Sequence, residues 1–248
     1  MDLFFTPPHR IDLEKKTLSI EGDEFFHMVK VLRKRKGEVI HLTDGEGLSV
    51  EAAIMEIGRG ALTAAITRAK SVVPEQTRVT VAMSLLKSSQ RFDFFLEKAT
   101  ELGVTGVVPM ITGRTVSQPK AGRTGSKMQR WKKVLVSASL QSKRYRFPRI
   151  AGPLQFEEVL RLDGYDMKLM PYESSGMKPG ASFTGKNVLF IVGGEGGFTG
   201  EEVERARESG FTDISFGRSI LRAETAGVFA VAMVRSHVVA NDGPEKWM

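Results

Sequence analysis

Val188-Leu189-Phe190-Ile191-Val192-Gly193-Gly194-Glu195-Gly196-Gly197-Phe198-Thr199 decides the fold. The first five residues are an apolar run rich in β-branched side chains, which predicts a buried strand. Four glycines broken only by Glu195 then predict a tight loop whose backbone comes close to something else. Thr199 with Glu202 three residues on reads as a capping box, starting a helix with Val203 and Ala206 on one face and Gly210 as its stop.

A glycine loop between strand and helix often cradles phosphate, because free N–H groups and a helix N-terminus attract anions. This loop is a poor phosphate site. It lacks the Lys-Ser/Thr of a P-loop, has Thr199 where a dinucleotide fingerprint needs its third glycine, and carries Glu195, so a neutral or cationic ligand fits better. A second apolar strand, predicted over 211–216, runs into Gly217-Arg218-Ser219-Ile220-Leu221-Arg222 and then a helix carrying Glu224, Val228 and Val231. Two strand ends thus deliver glycine-bearing loops to one sheet edge, where open α/β folds bind ligands.

Composition narrows the function. The 248 residues are 41% apolar, enough for two modest domains or one large one. The absence of cysteine excludes disulfides, thiolate catalysis and Cys-ligated zinc, and His9, His27, His41 and His237 show no paired ligand spacing, so no metal is expected. No apolar run approaching the roughly 20 residues of a bilayer span and no signal-peptide pattern is read, which gives a cytoplasmic expectation with no membrane. The net charge of +7 is unevenly placed. Residues 1–72 hold eleven basic and eleven acidic residues, whereas 113–149 hold eleven basic and no acidic ones. A window without any counter-charge should recruit a polyanion, with RNA favoured. Arg114, Lys120, Arg123, Lys127, Lys133 and Arg144 lie in it, and Lys30, Arg33, Lys34 and Arg35 form a second basic cluster near the N-terminus.

Two regions follow from periodicity. Residues 1–72 alternate at Val50, Ala52, Ile54 and at Leu62, Ala64, Ile66 with glycine turns between, predicting a small RNA-binding β-barrel interrupted by a helical pattern over Gly22 to Leu32. From 73 to 248 strands and helices alternate: strands 79–85, 104–110, 166–171, 187–192 and 211–216, helices 89–102, 128–142, 200–209 and a last one to about 239. This is the pattern of a mostly parallel sheet covered by helices, an α/β class. Gly113 to Lys127 reads as a long basic loop.

Gly193-Gly194-Glu195-Gly196-Gly197-Phe198-Thr199, with Ile220-Leu221-Arg222-Ala223-Glu224-Thr225-Ala226 downstream, resembles the RsmE-type family of small-subunit ribosomal RNA uridine-N3 methyltransferases, of the trefoil-knotted SPOUT class. Ser84-Leu85-Leu86-Lys87 before Lys98-Ala99-Thr100-Glu101-Leu102-Gly103-Val104, Gln141-Ser142-Lys143-Arg144, and His27 to Arg33 with Asp44-Gly45 are similar to further blocks of that family, in the same order along the chain. The chain has Gly194 where the family usually has proline, and Phe216 where it usually has leucine.

The resemblance implies a PUA-like N-terminal barrel, a SPOUT methyltransferase domain, a homodimer, 16S ribosomal RNA of the small ribosomal subunit as partner, and S-adenosylmethionine as methyl donor. Carried onto this chain, the donor loops are Met170-Pro171-Tyr172, Gly193 to Gly197, and Phe216-Gly217 to Ile220-Leu221, with Thr225 following. Uridine N3 must lose a proton, so charge on the flanking carbonyl oxygens needs a fixed cation. Arg222 is the first candidate, Arg144 the second, and Glu195 and Glu224 are candidate bases. An ion pair of Arg222 with Glu195 or Glu224 is the competing structural reading. A non-catalytic RNA-binding or ribosome-assembly protein and a dinucleotide-dependent oxidoreductase are the alternative functions.

Overall fold

The computed structural model describes residues 2–116, 124–177 and 182–241, and its contacts divide the chain into two units. The first comprises Met1–Pro74 with Val136–Phe147. Its strands β1 (Leu3–Phe5), β2 (Ile11–Asp12), β3 (Thr17–Glu21), β4 (Val39–Thr43), β5 (Leu48–Ile57) and β6 (Ala61–Ser71) form one sheet in the order β1-β4-β5-β6-β3-β2. The alternation seen in the sequence places Val50, Ala52 and Ile54 of β5 and Leu62 and Ala64 of β6 in the core beside Ile20, Ile40 and Leu42. Register shifts at Glu51/Ala52 and Ile54/Glu56 act as bulges that bend the sheet into a half-barrel.

The helical pattern over Gly22 to Leu32 proves to be two different helices. Helix α1 (Gly22–Phe26) passes into a π turn, His27–Val31, in which the Leu32 N–H reaches back to the His27 carbonyl at 2.9 Å. Phe25 and Met28 are buried in the barrel core, which anchors this turn. Burial pushes the Glu24 carboxyl above its ordinary value, although it accepts the Phe5 N–H at 3.2 Å. Residues 136–147 join this unit through backbone bonds: Phe147 N–H to the Gly45 carbonyl at 2.8 Å and Thr43 Oγ1 to the Tyr145 carbonyl at 3.0 Å. Arg146 donates to the carbonyls of Glu46 and Val72.

The second unit, Glu75–Leu135 with Pro148–Met248, is the α/β part. Its elements are β7 (Arg78–Ser84), α2 (Ser89–Glu101), β8 (Gly106–Ile111), α3 (Thr124–Gln141, continuing into the first unit), β9 (Arg149–Ile150), β10 (Leu154–Gln155), α4 (Phe156–Leu160), β11 (Met167–Pro171), β12 (Asn187–Val192), α5 (Gly200–Glu208), β13 (Thr212–Ile214) and α6 (Ala223–Asn241). The sheet runs β10-β8-β7-β12-β11-β13, with β9 also on β8, and every pairing is parallel. Helices cover both faces. Phe92, Phe95 and Leu96 of α2 pack with Val231 and Val234 of α6 in one core, and Phe156, Val203 and Ala206 build the other. Trp131 is buried against Phe92, ring centroids 4.8 Å apart.

Several expectations need correction. The strand expected over 211–216 is only Thr212–Ile214, because beyond it the Ser215 N–H bonds the Met177 carbonyl at 2.8 Å instead of a strand. The basic loop ends earlier than Lys127, since α3 already begins at Thr124; Lys120 and Arg123 lie outside the described residues. Periodicity missed β9, β10 and α4, each too short to show a period. Helix α6, 19 residues with a mean hydropathy of 1.2, meets the length and composition of a membrane span, contrary to the reading of no such run. It packs on α2, β7 and β12, so one face of it, with Ala230, Val231 and Val234, serves the core.

Gly227 is the contact point of that packing. A Cβ there would lie 2.8 Å from two ring carbons of Phe95, itself fully buried. Gly227→Ala should therefore lose stability by about 1–3 kcal/mol despite alanine's better helix propensity. The measurement is thermal unfolding, with a melting temperature lower by several degrees expected; an unchanged or raised value would show that the ring gives way.

Candidate functional site

Three neighbouring parallel strands, β12, β11 and β13, end at the same sheet edge, and each continues into a loop predicted to hold ligand. The chain after β12 turns within Gly193 to Gly197, closed by the Gly197 N–H to the Gly194 carbonyl at 3.0 Å. Gly197 has a φ of +64°, and a Cβ on Gly193 would come within 3.1 Å of the Gly197 backbone, so this turn requires glycine at both ends. After β11, the Tyr172 N–H bonds the Ile214 carbonyl at 2.9 Å, tying the first loop to the end of β13. The third loop turns at Gly217, φ +105°, while Phe216 packs edge-on against Phe229 of α6 at 4.9 Å. Arg207 holds β13 to α5 through its 3.0 Å bond to Asp213, and that guanidinium keeps the Asp213 carboxyl below its ordinary value.

Glu202 welds a fourth strand end to this edge. Besides capping α5, where its Oε2 accepts the Thr199 N–H at 2.8 Å, its Oε1 accepts the Gly113 N–H at 2.7 Å from the loop after β8. The carboxyl is 7% exposed, so it is a buried acid with two backbone donors and the helix N-terminus as compensation. Next to it, Ser84 Oγ lies 3.0 Å from Thr115 Oγ1 and 3.3 Å from Thr112 Oγ1, a hydroxyl cluster under Gly194.

The acids at the site have a partner that the sequence did not announce. Arg91, in the first turn of α2, has its Nη1 3.9 Å from Glu195 and its Nε 3.7 Å from Glu224. Glu195 also accepts the Lys87 N–H at 3.2 Å, so the loop acid is turned toward the end of β7 and the start of α2. Glu224 is 6% exposed, and its Oε2 has no hydrogen-bond partner among the described residues. Arg222, by contrast, is exposed and forms no ion pair with either acid. The structural reading of Arg222 as their partner is thereby overturned: Arg91 fills that place. A single arginine on a helix with no distinguishing neighbours offered no signal in the sequence.

Other expected site residues are placed differently from one another. Met170 is fully buried in the core with Leu189 and Ile191, so only its backbone reaches the edge; Pro171 and Tyr172 are half-buried there. Leu221 is half-buried and Thr225 exposed, while Ile220, expected as an apolar wall, is 85% exposed. Of the basic window, Arg114 Nη1 donates to the Gly196 carbonyl at 2.7 Å, Arg130 pairs with Asp93, and Arg146 braces the barrel unit. These three are engaged within the protein. Lys133 is exposed, Lys127 and Arg144 are half-buried, and Arg144 belongs to the barrel unit. Lys30, Arg33 and Arg35 are exposed at the π turn, and Lys34 pairs with Glu38 at 3.3 Å. Among the described residues no cluster of His, Cys, Asp and Glu has a metal-binding arrangement.

Along its length the chain is similar to a class of RNA-modifying enzymes. The family profile for an RNA methyltransferase domain matches residues 73–235, and that for an RNA methyltransferase PUA domain matches 20–67. The chain belongs to this RNA methyltransferase family, whose SPOUT-type parallel sheet and N-terminal PUA domain it has. Ribosomal RNA small subunit methyltransferase E of Mycobacterium bovis is 30% identical over 222 residues, covering 87% of this chain and 84% of its own. The protein of the same name from Rickettsia conorii is 30% identical over 238 residues, covering 90% and 91%. The crystal structure of the Neisseria gonorrhoeae enzyme of that name, bound to S-adenosyl methionine, superposes with a TM-score of 0.84 at 30% identity, covering 95% of this chain and 97% of its own.

Because Glu202 carries the joint between the loop after β8 and α5, Glu202→Ala should cost about 1–2 kcal/mol, removing the acceptor of both the Gly113 and the Thr199 amides. Amide hydrogen exchange should speed up at Gly113 and Thr199 together. Acceleration at Thr199 alone would mean that the cap matters and the joint does not.

Proposed function

We propose that the protein transfers a methyl group from S-adenosylmethionine to N3 of a uridine in 16S ribosomal RNA. The observation that carries this reading is the set of three adjacent strand ends whose loops are rich in glycine and apolar residues, the glycine loop after β12 carrying an acid where a phosphate site would carry a cation. The backbone of Gly193 to Gly197, Tyr172 and Phe216 to Leu221 is the surface we assign to the donor. Absence of side chains at the glycines leaves room for close approach, and main-chain N–H and C=O groups suit the hydrogen-bonding edge of adenine. When bound, the donor supplies an electrophilic methyl group on a sulfonium cation.

The chain's own task is the uracil. N3 carries a proton at neutral pH, and its loss spreads negative charge over the two neighbouring carbonyl oxygens. Arg222 leads directly out of the third donor loop, is exposed and is not committed to Glu195 or Glu224, so its guanidinium is available to a ligand. We assign it the stabilisation of that charge, with Arg144 as second candidate. Arg91 serves differently. By bridging Glu195 of the glycine loop and Glu224 of α6 it holds the frame of the donor site, as a positioning residue.

RNA is bound, in this reading, by Lys30, Arg33 and Arg35 at the π turn and by part of the basic window, including the half-buried Lys127 and the exposed Lys133, mainly through phosphates. We also propose a cytoplasmic homodimer. Phe229, Val239 and Ile220 leave an apolar surface exposed along α6 and the loop before it, at 42%, 59% and 85%, which a second copy would cover. The oxidoreductase alternative would place two phosphates against Glu195, and a non-catalytic RNA binder has no use for three ligand loops at one edge.

Two measurements test the assignment. Arg222→Lys should retain donor and RNA binding while single-turnover methylation of 16S ribosomal RNA falls on the order of a hundredfold, the loss typical for one preorganised donor to a developing anion. Near-normal turnover would remove Arg222 from the chemistry. Arg91→Ala should instead weaken S-adenosylmethionine in calorimetric titration, with Glu195→Gln producing a similar loss and the double variant little more than either. Additive losses would mean that the arginine and the loop acid act separately.

A further inference from the structure

The adjacent phenylalanines of α1 point opposite ways. Phe25 is 8% exposed in the barrel core, whereas Phe26 is 60% exposed. A single exposed apolar residue is ordinary, but Phe26 does not stand alone. In the wide π turn that follows it, residues four and five apart lie on one face, so Lys30 and Val31 line up with Phe26, and Val31 is 57% exposed. Arg33 closes the turn with a φ of +55°, a left-handed conformation rarely adopted by a side-chain-bearing residue, and the Lys34 N–H reaches back to the Met28 carbonyl at 3.0 Å. The backbone is thus held in an uncommon path by the burial of Phe25 and Met28 beneath it. Phe26, Lys30, Arg33 and Arg35 are all exposed along this short stretch of chain.

We propose that Phe26 is a stacking platform for an unpaired RNA base, flanked by Lys30 and Arg33 on the adjoining phosphates. This inference rests on the RNA-binding function proposed above and adds that the barrel takes single-stranded, unstacked RNA. The chemistry is complementary on both counts. A π face is offered to a base of any identity, and cations follow within the next turn of chain, the combination of ring and charge that single-strand binders use. Duplex RNA presents no free base face to the ring. A second copy of the chain is the other occupant an exposed phenylalanine could have, but the cations beside it favour a polyanion.

Stacking and charge contacts respond differently to salt, which makes the proposal testable. The probe is a fluorescently labelled single-stranded RNA of about ten nucleotides, titrated at several salt concentrations alongside the same strand with abasic positions and the corresponding duplex. Phe26→Ala should weaken the single strand roughly tenfold with the salt slope unchanged, Phe26→Trp should restore or tighten it, and the abasic strand should bind both parent and Phe26→Ala alike. Lys30→Ala should instead flatten the slope by about 0.7 log unit. Phe26→Ala binding equal to the parent, or an equal loss on the duplex, overturns the platform while leaving RNA binding in place. No RNA binding by the parent overturns both readings. Sedimentation of Phe26→Glu decides the remaining case: a shift from dimer to monomer assigns the ring to a second copy and sinks the proposal.

Discussion

Burial of β12 on both faces is the constraint on which the second unit depends. Val188 to Val192 lie in the middle of a parallel sheet, between β7 and β11, with helices on either side. Such a strand has no surface on which to place polar function, so whatever it contributes must emerge at its end. All its neighbours run the same way, and their ends emerge with it. The Tyr172 segment, the glycine loop and the Phe216 to Leu221 segment are therefore neighbours by topology, although Phe216 follows Tyr172 by 44 positions in the chain.

Electrostatics at this edge are arranged by pairing two buried acids, Glu202 and Glu224, and the exposed Glu195 with backbone donors and one guanidinium. Glu202 is compensated by two amides and a helix N-terminus. Glu195 takes the Lys87 amide and shares Arg91 with Glu224. The two ion-pair distances of 3.9 and 3.7 Å are long, and Arg91 is 41% exposed, so the bridge is worth little as stability. Its value is geometric, connecting the loop after β12 to the first turn of α6. This leaves Arg222 uncommitted beside the same loops.

The basic window shows why a charge count overstates a binding surface. Eleven cations without an acid in sequence suggest one continuous patch. In the fold, Arg130 meets Asp93 from α2, Arg114 and Arg146 spend their donors on main-chain carbonyls, and the window itself is divided between the two units. Counter-charges and acceptors came from residues far away in sequence.

The residues from Val188 to Gly210 determine strand, turn and capped helix by themselves, because apolar continuity, glycine's access to positive φ and the Thr199–Glu202 box act over a few residues. Alternation in β5 and β6 made the barrel legible for the same reason. Only tertiary structure decided the rest. The three-residue length of β13, the split of Gly22 to Leu32 into an α and a π turn, the exposure of Ile220 and Phe26, and the choice of Arg91 over Arg222 as partner of the two acids all depend on which surfaces meet. Those meetings join residues tens to more than a hundred positions apart, as from Ser215 to Met177 and from Arg91 to Glu195, and no local pattern along the chain records such distances.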